Sequence, residues 1–123
     1  MVKRNIVHVE IPAANLQEAG KFYQALFGWE IQYFPEMNYA TWASGPGAGG
    51  GFNPLTDQVR PGDVMIYVNS EDIEADLGKA VSLGAKIIQE KMEIPQIGWF
   101  GIFEDPTGNQ IALYTSMDPD FNK

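Results

Sequence analysis

The sequence predicts an α+β fold built from two tandem copies of one unit, each made of a strand, a helix and three further strands. Its length of 123 residues is enough for one buried core and too short for two independent ones. Strand-like alternation, amphipathic helical spacing and turn residues follow one another in the same order twice. The same offset of 56 residues separates Gly28 from Gly84 and Ile31 from Ile87.

The first copy opens with a strand and a capped helix. Residues 5–11 alternate between two faces, which places His8 and Glu10 on the same side of the strand. Asn15 has the chemistry of an N-cap, and Gly28 is suited to end the helix. The apolar stripe of this helix consists of Leu16, Ala19, Phe22, Tyr23, Leu26 and Phe27. The three following strands are predicted at 29–34, 39–44 and 49–52.

The second copy repeats this order after a proline- and glycine-containing linker at 54–62. A strand is predicted at 64–68, followed by a helix with Ser70 as its N-cap and Gly84 as its stop. The buried stripe of this helix is predicted to be Ile73, Leu77, Ala80 and Val81. Its three strands are predicted at 85–92, 98–104 and 110–116. We therefore expect one domain, 1–123, with module one at 1–57 and module two at 62–117.

Composition excludes several classes of function. The chain has 16 acidic and eight basic residues and a formal net charge of −8, which repels nucleic acids and anionic membranes. It has no cysteine, so disulfides and thiolate chemistry are excluded. No apolar run approaches the roughly 18 residues that span a bilayer. We expect a cytoplasmic protein that binds neither nucleic acid nor membrane.

Two further motifs have structural explanations. Residues 45–50 satisfy a dinucleotide-binding pattern, but Asn53 and Pro54 follow where that motif needs a helix. The glycines instead suit a tight turn and a close backbone approach, and we expect them to leave space beside the strand. Residues 105–109, Asp-Pro-Thr-Gly-Asn, predict a hairpin turn before the last strand.

Three motifs together resemble a known superfamily. They are His8-Val-Glu-Ile-Pro, the helix end from Phe22 to Trp29, and the turn at 105–109. The combination is similar to the vicinal oxygen chelate superfamily of glyoxalases, bleomycin-resistance proteins, extradiol dioxygenases and fosfomycin-resistance enzymes, and most of all to its small glyoxalase-related branch. The resemblance implies paired βαβββ modules whose mixed sheets form a U-shaped cleft, the glyoxalase/bleomycin resistance fold. It also implies a homodimer.

In the metalloenzymes of this superfamily, four strands each supply one side chain to a divalent ion in the cleft. The resemblance places these four positions at His8, within 49–51, at Asp63 (or Met65 if the register shifts by two), and at Ala112, with Tyr114 one pleat further on. Glycine and alanine offer no metal donor, and two ligands are too few for a zinc site. We therefore expect no metal cofactor; the alternative is a divalent metal ion held by His8 and Asp63.

The sequence thus favours a small-molecule-binding protein with a degenerate metal site. The excess of acidic over basic residues favours a neutral or cationic ligand. A metal-dependent lyase, isomerase or dioxygenase is the alternative, so catalysis stays open. A third reading is a partner-binding domain that pairs through its glycine-rich strand edge. The predicted lining of the ligand cleft is His8, Glu10, Trp42, Asp63, Met65, Ala112 and Tyr114.

Overall fold

The structure, a computed structural model, describes residues 3–121. Within them, a βαβββ order occurs twice, which confirms the predicted α+β class and its two modules. The first module contains β1 (Ile6–Ala13), α1 (Leu16–Phe27), β2 (Glu30–Phe34), a 3-10 helix (Pro35–Met37), β3 (Tyr39–Ala43) and β4 (Gly49–Pro54). The second contains β5 (Met65–Asn69), α2 (Ile73–Ser82), β6 (Lys86–Ile94), β7 (Gly98–Glu104) and β8 (Gln110–Ser116).

The chain divides into two compact units. The first unit is Val7–Ile66, and the second combines the chain from Tyr67 onwards with the residues before Val7. In the first unit the strand order is β2-β3-β4-β1, with β1 parallel to β4 and the other pairs antiparallel. In the second unit the order is β5-β8-β7-β6, with β5 parallel to β8.

In the first unit, α1 covers one face of the sheet. Asn15 caps the helix by accepting a hydrogen bond from the Glu18 N–H, and Gly28 ends it with a φ of 75°, so both predicted ends are confirmed. Its core is Ala13, Ala40, Trp42 and Phe52, against which Leu16, Ala19 and Tyr23 pack. The rest of the predicted stripe is more than half exposed, namely Phe22, Leu26 and Phe27.

In the second unit, Ile73 and Leu77 of α2 pack on Leu113 of β8. The predicted N-cap of α2 was wrong, because Asp72 accepts the hydrogen bond from the Ala75 N–H and the helix starts at Ile73. Ser70 is instead buried and donates its hydroxyl to the Asp76 carboxylate. Asp76 also pairs with Arg4 at 2.9 Å, which fixes the start of the described chain to this unit.

Two smaller features follow the sequence. The predicted hairpin turn is confirmed, since the Asp105 carboxylate accepts hydrogen bonds from the N–H groups of residues 107–109. Among residues 3–121, neither helix has the length and apolar character needed to cross a membrane.

Candidate functional site

One face of the first unit carries the polar side chains of β1. Val9 and Ile11 point to the core beneath α1, so alternation places His8 and Glu10 on the opposite face. The parallel register with β4 sets Glu10 beside Gly51. The prediction that His8 and Glu10 share a face is confirmed, because His8 Nε2 lies 2.9 Å from Glu10 Oε2.

The structure adds Tyr39 to this pair. Ala40 and Trp42 of β3 point into the core, so Tyr39 lies on the same face as His8 and Glu10. The Tyr39 hydroxyl donates a hydrogen bond to Glu10 Oε2 and lies 3.0 Å from His8 Nε2. His8, Glu10 and Tyr39 are called the His8 cluster below.

The hydrogen bonds of the His8 cluster fix where its protons lie. The phenolic proton of Tyr39 points to the Glu10 carboxylate, so both oxygens facing His8 Nε2 act towards it as acceptors. We therefore assign a proton to Nε2. The His8 side chain is 32% exposed and that of Glu10 is 15% exposed, so the imidazole is more accessible than the carboxylate.

Gly51 makes room for the His8 cluster. A Cβ at position 51 would overlap the Tyr39 hydroxyl and lie 2.9 Å from Glu10 Oε2. Tyr39 and Glu10 therefore occupy the volume above Gly51, and the space expected beside the glycines of residues 45–50 is likewise filled at Gly50. Gly50 lies against the Val9 carbonyl and the Trp42 indole, which is the close approach that the sequence predicted.

Trp42 does not belong to this face, so its assignment to the ligand cleft is corrected. Its side chain is buried in the core under α1 and stacks on Trp29 with ring centroids 4.2 Å apart. Its indole N–H donates to the Gly51 carbonyl at 3.2 Å. The alternation of β3 sends even-numbered residues to the core, and Trp42 follows Ala40.

The structure places Asp63 in a turn before β5. Its carboxylate accepts a hydrogen bond from the Arg60 N–H at 3.0 Å, and its own N–H donates to the Arg60 carbonyl. The predicted strand position of Asp63 is therefore wrong, since β5 begins at Met65. Met65 is half-buried.

The last two predicted site residues lie in the second unit. Ala112 is fully buried and pairs with Tyr67 of β5. Tyr114 donates its hydroxyl to the Ile97 carbonyl at 3.3 Å, and its ring meets Phe121 edge-on. Ala112 thus offers no exposed surface, and the Tyr114 hydroxyl is held by the backbone of its own unit.

The donor set fits a divalent metal poorly. Within residues 3–121, no group of three or more His, Cys, Asp or Glu side chains is arranged to hold an ion. In the His8 cluster the strong donors are one imidazole and one carboxylate, and the Tyr39 hydroxyl is hydrogen-bonded to that carboxylate. Catalytic zinc sites normally have three protein ligands.

The sequence contained a signal for Tyr39 that went unused. Tyr39 and Trp42 are both aromatic residues of one predicted strand. One position is odd-numbered and the other even-numbered, so their side chains face opposite sides of the sheet. Ala40 is buried, which shows that the even-numbered residues of this strand face the core. The contact of Tyr39 with Glu10 also depends on β3 and β1 both flanking β4, which local patterns do not reveal.

A protein-family model matches most of the chain. The model of the glyoxalase-like domain matches residues 7–114. A glyoxylase-like domain-containing protein of Didymella fabae is 27% identical over 116 residues, which cover 87% of this chain and 90% of the relative. CFP32 of Mycobacterium bovis is 28% identical over 102 residues, or 80% of this chain; that match spans only 38% of CFP32.

A solved structure supports the same fold. Methylmalonyl-CoA epimerase from Mycobacterium tuberculosis superposes with a TM-score of 0.70 over 93% of this chain and 89% of that chain, at 16% sequence identity. At this low identity the likeness establishes the fold and no activity. The order of helices and strands and this likeness agree on a fold of paired βαβββ modules.

Proposed function

Since the chain belongs to the glyoxalase-like domain family, we propose that it binds a small organic molecule without a protein-held metal ion. The binding site includes the exposed face of the His8 cluster. A single observation carries the proposal: Tyr39 and Glu10 occupy the volume above Gly51. Gly51 belongs to β4, the strand in which the resemblance placed one of the metal ligands.

The chemistry of the His8 cluster suits recognition by hydrogen bonds. Glu10 and Tyr39 form a pair in which a phenol donates to a carboxylate, and such charge-assisted bonds hold side chains in one geometry. The His8 imidazole lies beside them with its side chain partly exposed. A preorganised polar group on a concave or flat surface fixes the orientation of a small ligand.

The ligand we propose is neutral or cationic. The formal net charge of −8 disfavours the approach of anions. The carboxylate of Glu10 adds a local negative charge that favours a donor group or a cation on the ligand.

Calorimetric titration against a panel of planar neutral and cationic compounds tests the proposal. We expect at least one compound to bind, with an affinity that EDTA does not change. Glu10→Gln should weaken that binding about tenfold, the equivalent of one charge-assisted hydrogen bond. Glu30→Gln, at an exposed position of β2, is the matched control and should bind as the wild type does. Failure of every compound, or binding abolished by EDTA, contradicts the proposal.

A metal-dependent lyase, isomerase or dioxygenase of the same superfamily is the second candidate. The observation that favours it is His8, which stands at the first ligand position of the resemblance and keeps 32% of its side chain exposed. Metal that co-purifies with the chain and is lost in His8→Ala would favour this candidate over the first.

We further propose a cytoplasmic homodimer, on the basis of the superfamily resemblance. The exposed apolar side chains on α1, Phe22, Leu26 and Phe27, are of the kind that association covers. Sedimentation at micromolar concentration should show twice the 13.6 kDa mass of one chain. A single species at the monomer mass contradicts the dimer.

A further inference from the structure

A pocket lies at one end of the first unit, apart from the exposed side of His8 and Glu10. It opens where β1 and β4 end and α1 begins, between Ala13, Pro54 and the N-cap Asn15. Its volume is about 330 Å³, near the lower end of the range for small-molecule sites. This space is called the Tyr39 pocket below, after the residue that connects it with the His8 cluster.

The Tyr39 pocket has an uncharged lining. A fifth of the chain's residues are charged, yet every residue around this pocket is neutral. Its polar side chains are three carboxamides and two phenols, from Asn15, Gln17, Asn38, Tyr33 and Tyr39. None of the lining residues carries a charge that could pair with an ion, whereas amide and hydroxyl groups find both donors and acceptors here.

Backbone geometry fixes the wall of the Tyr39 pocket. Asn38 has a φ of 49°, a left-handed conformation that is uncommon outside glycine, and it ends the 3-10 helix. Asn38 and Tyr39, on either side of this reversal, both line the pocket. Tyr33, which also lines the pocket, donates its hydroxyl to the Gln17 carbonyl at the start of α1.

Tyr39 joins the two sites. It belongs to the lining of the Tyr39 pocket, while its hydroxyl donates to Glu10 in the His8 cluster. A molecule in the pocket therefore lies next to the residue whose hydroxyl orders the cluster.

We infer that the Tyr39 pocket binds an uncharged cyclic molecule with amide or hydroxyl groups. The ring lies against Tyr39, and the polar groups exchange hydrogen bonds with the carboxamides of Asn15, Gln17 and Asn38. This inference rests on the proposed function, because it names the class of ligand and the second half of its site.

The test uses three probes of one size and different charge: benzamide, benzoate and benzamidinium. Each is titrated at millimolar concentration into the full-length, ¹⁵N-labelled chain, and the side-chain amide signals of Asn15, Gln17 and Asn38 are followed by NMR. We expect benzamide to shift these signals, and both charged probes to bind about tenfold more weakly or not at all.

Two variants and a control connect these shifts to the pocket. Asn38→Gly keeps the left-handed backbone and removes the carboxamide, and it should weaken benzamide binding several-fold. Ala14→Trp adds bulk at an exposed position of the lining and should abolish binding. Gln24→Ala removes a carboxamide on the exposed surface of α1 outside the lining and should change nothing.

The outcomes separate this inference from the proposed function. If benzamide leaves the three amides unmoved, or if a charged probe binds as tightly as benzamide, the inference is overturned. The proposed function survives that result as long as a compound of the calorimetric panel binds without metal. If no compound of either set binds anywhere, both are overturned.

Discussion

Gly51 lies directly beneath the Tyr39 hydroxyl, so the smallest side chain at position 51 would displace the phenol from Glu10. The relationship joins neighbouring strands, since β3 and β4 are antiparallel partners and β1 lies on the other side of β4. Glycine at position 51 is thus required for His8, Glu10 and Tyr39 to meet on one face of the sheet.

Gly51→Ala should destabilise the protein. The methyl group would push the Tyr39 ring aside and break its hydrogen bond to Glu10, at a cost of about 2 kcal/mol in the free energy of unfolding. In a Tyr39→Ala background the same substitution should cost markedly less, because the overlapping ring is gone. Urea denaturation of the four chains measures both values.

Gly78→Ala is the matched control for this substitution. Gly78 is exposed within α2, and a Cβ there meets nothing within 4 Å. Alanine should raise the free energy of unfolding by about 0.5–1 kcal/mol. Equal effects of the two substitutions would contradict the packing described for Gly51.

The proton assigned to His8 Nε2 predicts a tautomer. Neutral His8 should be the Nε2–H form, because Nε2 faces two oxygens that accept hydrogen bonds. Long-range ¹H–¹⁵N NMR distinguishes the two tautomers, and His8 is the only histidine in the chain. Tyr39→Phe should reduce the preference for this form, since one acceptor is lost. A neutral Nδ1–H form in the wild type contradicts the hydrogen-bond assignment.

Trp42 should matter for stability and not for ligand binding. Trp42→Phe loses the indole hydrogen bond to Gly51 and part of the stack on Trp29, which should lower the free energy of unfolding by about 2 kcal/mol. Benzamide should bind the variant as it binds the wild type, because Trp42 is outside the Tyr39 pocket. Weaker binding with unchanged stability would place Trp42 in the site.

Asp105 should contribute stability that acid removes. Hydrogen bonds from the backbone N–H of Asn109, foremost, and from its side-chain amide hold the pKa of this carboxyl below its ordinary value. A carboxyl whose pKa is lowered in the folded state stabilises the protein at pH values above its ordinary pKa. That stability is lost as the pH falls through the lowered pKa.

Asp105→Asn should therefore be less stable than the wild type at neutral pH, and the difference should shrink as pH falls below about 4. Thermal unfolding as a function of pH measures it. Asp57→Asn, at an exposed linker position, is the control and should follow the wild type. A difference between Asp105→Asn and the wild type that persists unchanged in acid contradicts the role given to the charge.

Local patterns were sufficient for most of the fold. The ends of α1 follow from Asn15 and Gly28, and β7 and β8 have the predicted bounds. The N-cap of α2 was missed because Ser70 and Asp72 have similar capping chemistry, and the choice depends on the contact of Ser70 with Asp76. Such competition is settled by tertiary structure.

The candidate site was less accessible to sequence reasoning. His8 and Glu10 share a face by alternation alone, but Tyr39 lies 29 residues from Glu10 along the chain. Their contact requires the strand order β3-β4-β1, and non-local pairing leaves no local signal. Asp63 was misplaced for a related reason: it forms a turn with Arg60, and β5 begins two residues after it, at Met65.

Metal analysis of the chain purified without chelator tests the central claim most directly. We predict substoichiometric zinc, nickel, manganese and iron, at the same level in the wild type and in His8→Ala. The reason is that the polar atoms of the His8 cluster are hydrogen-bonded to one another. One metal ion per chain that disappears in His8→Ala would contradict a metal-free binding site.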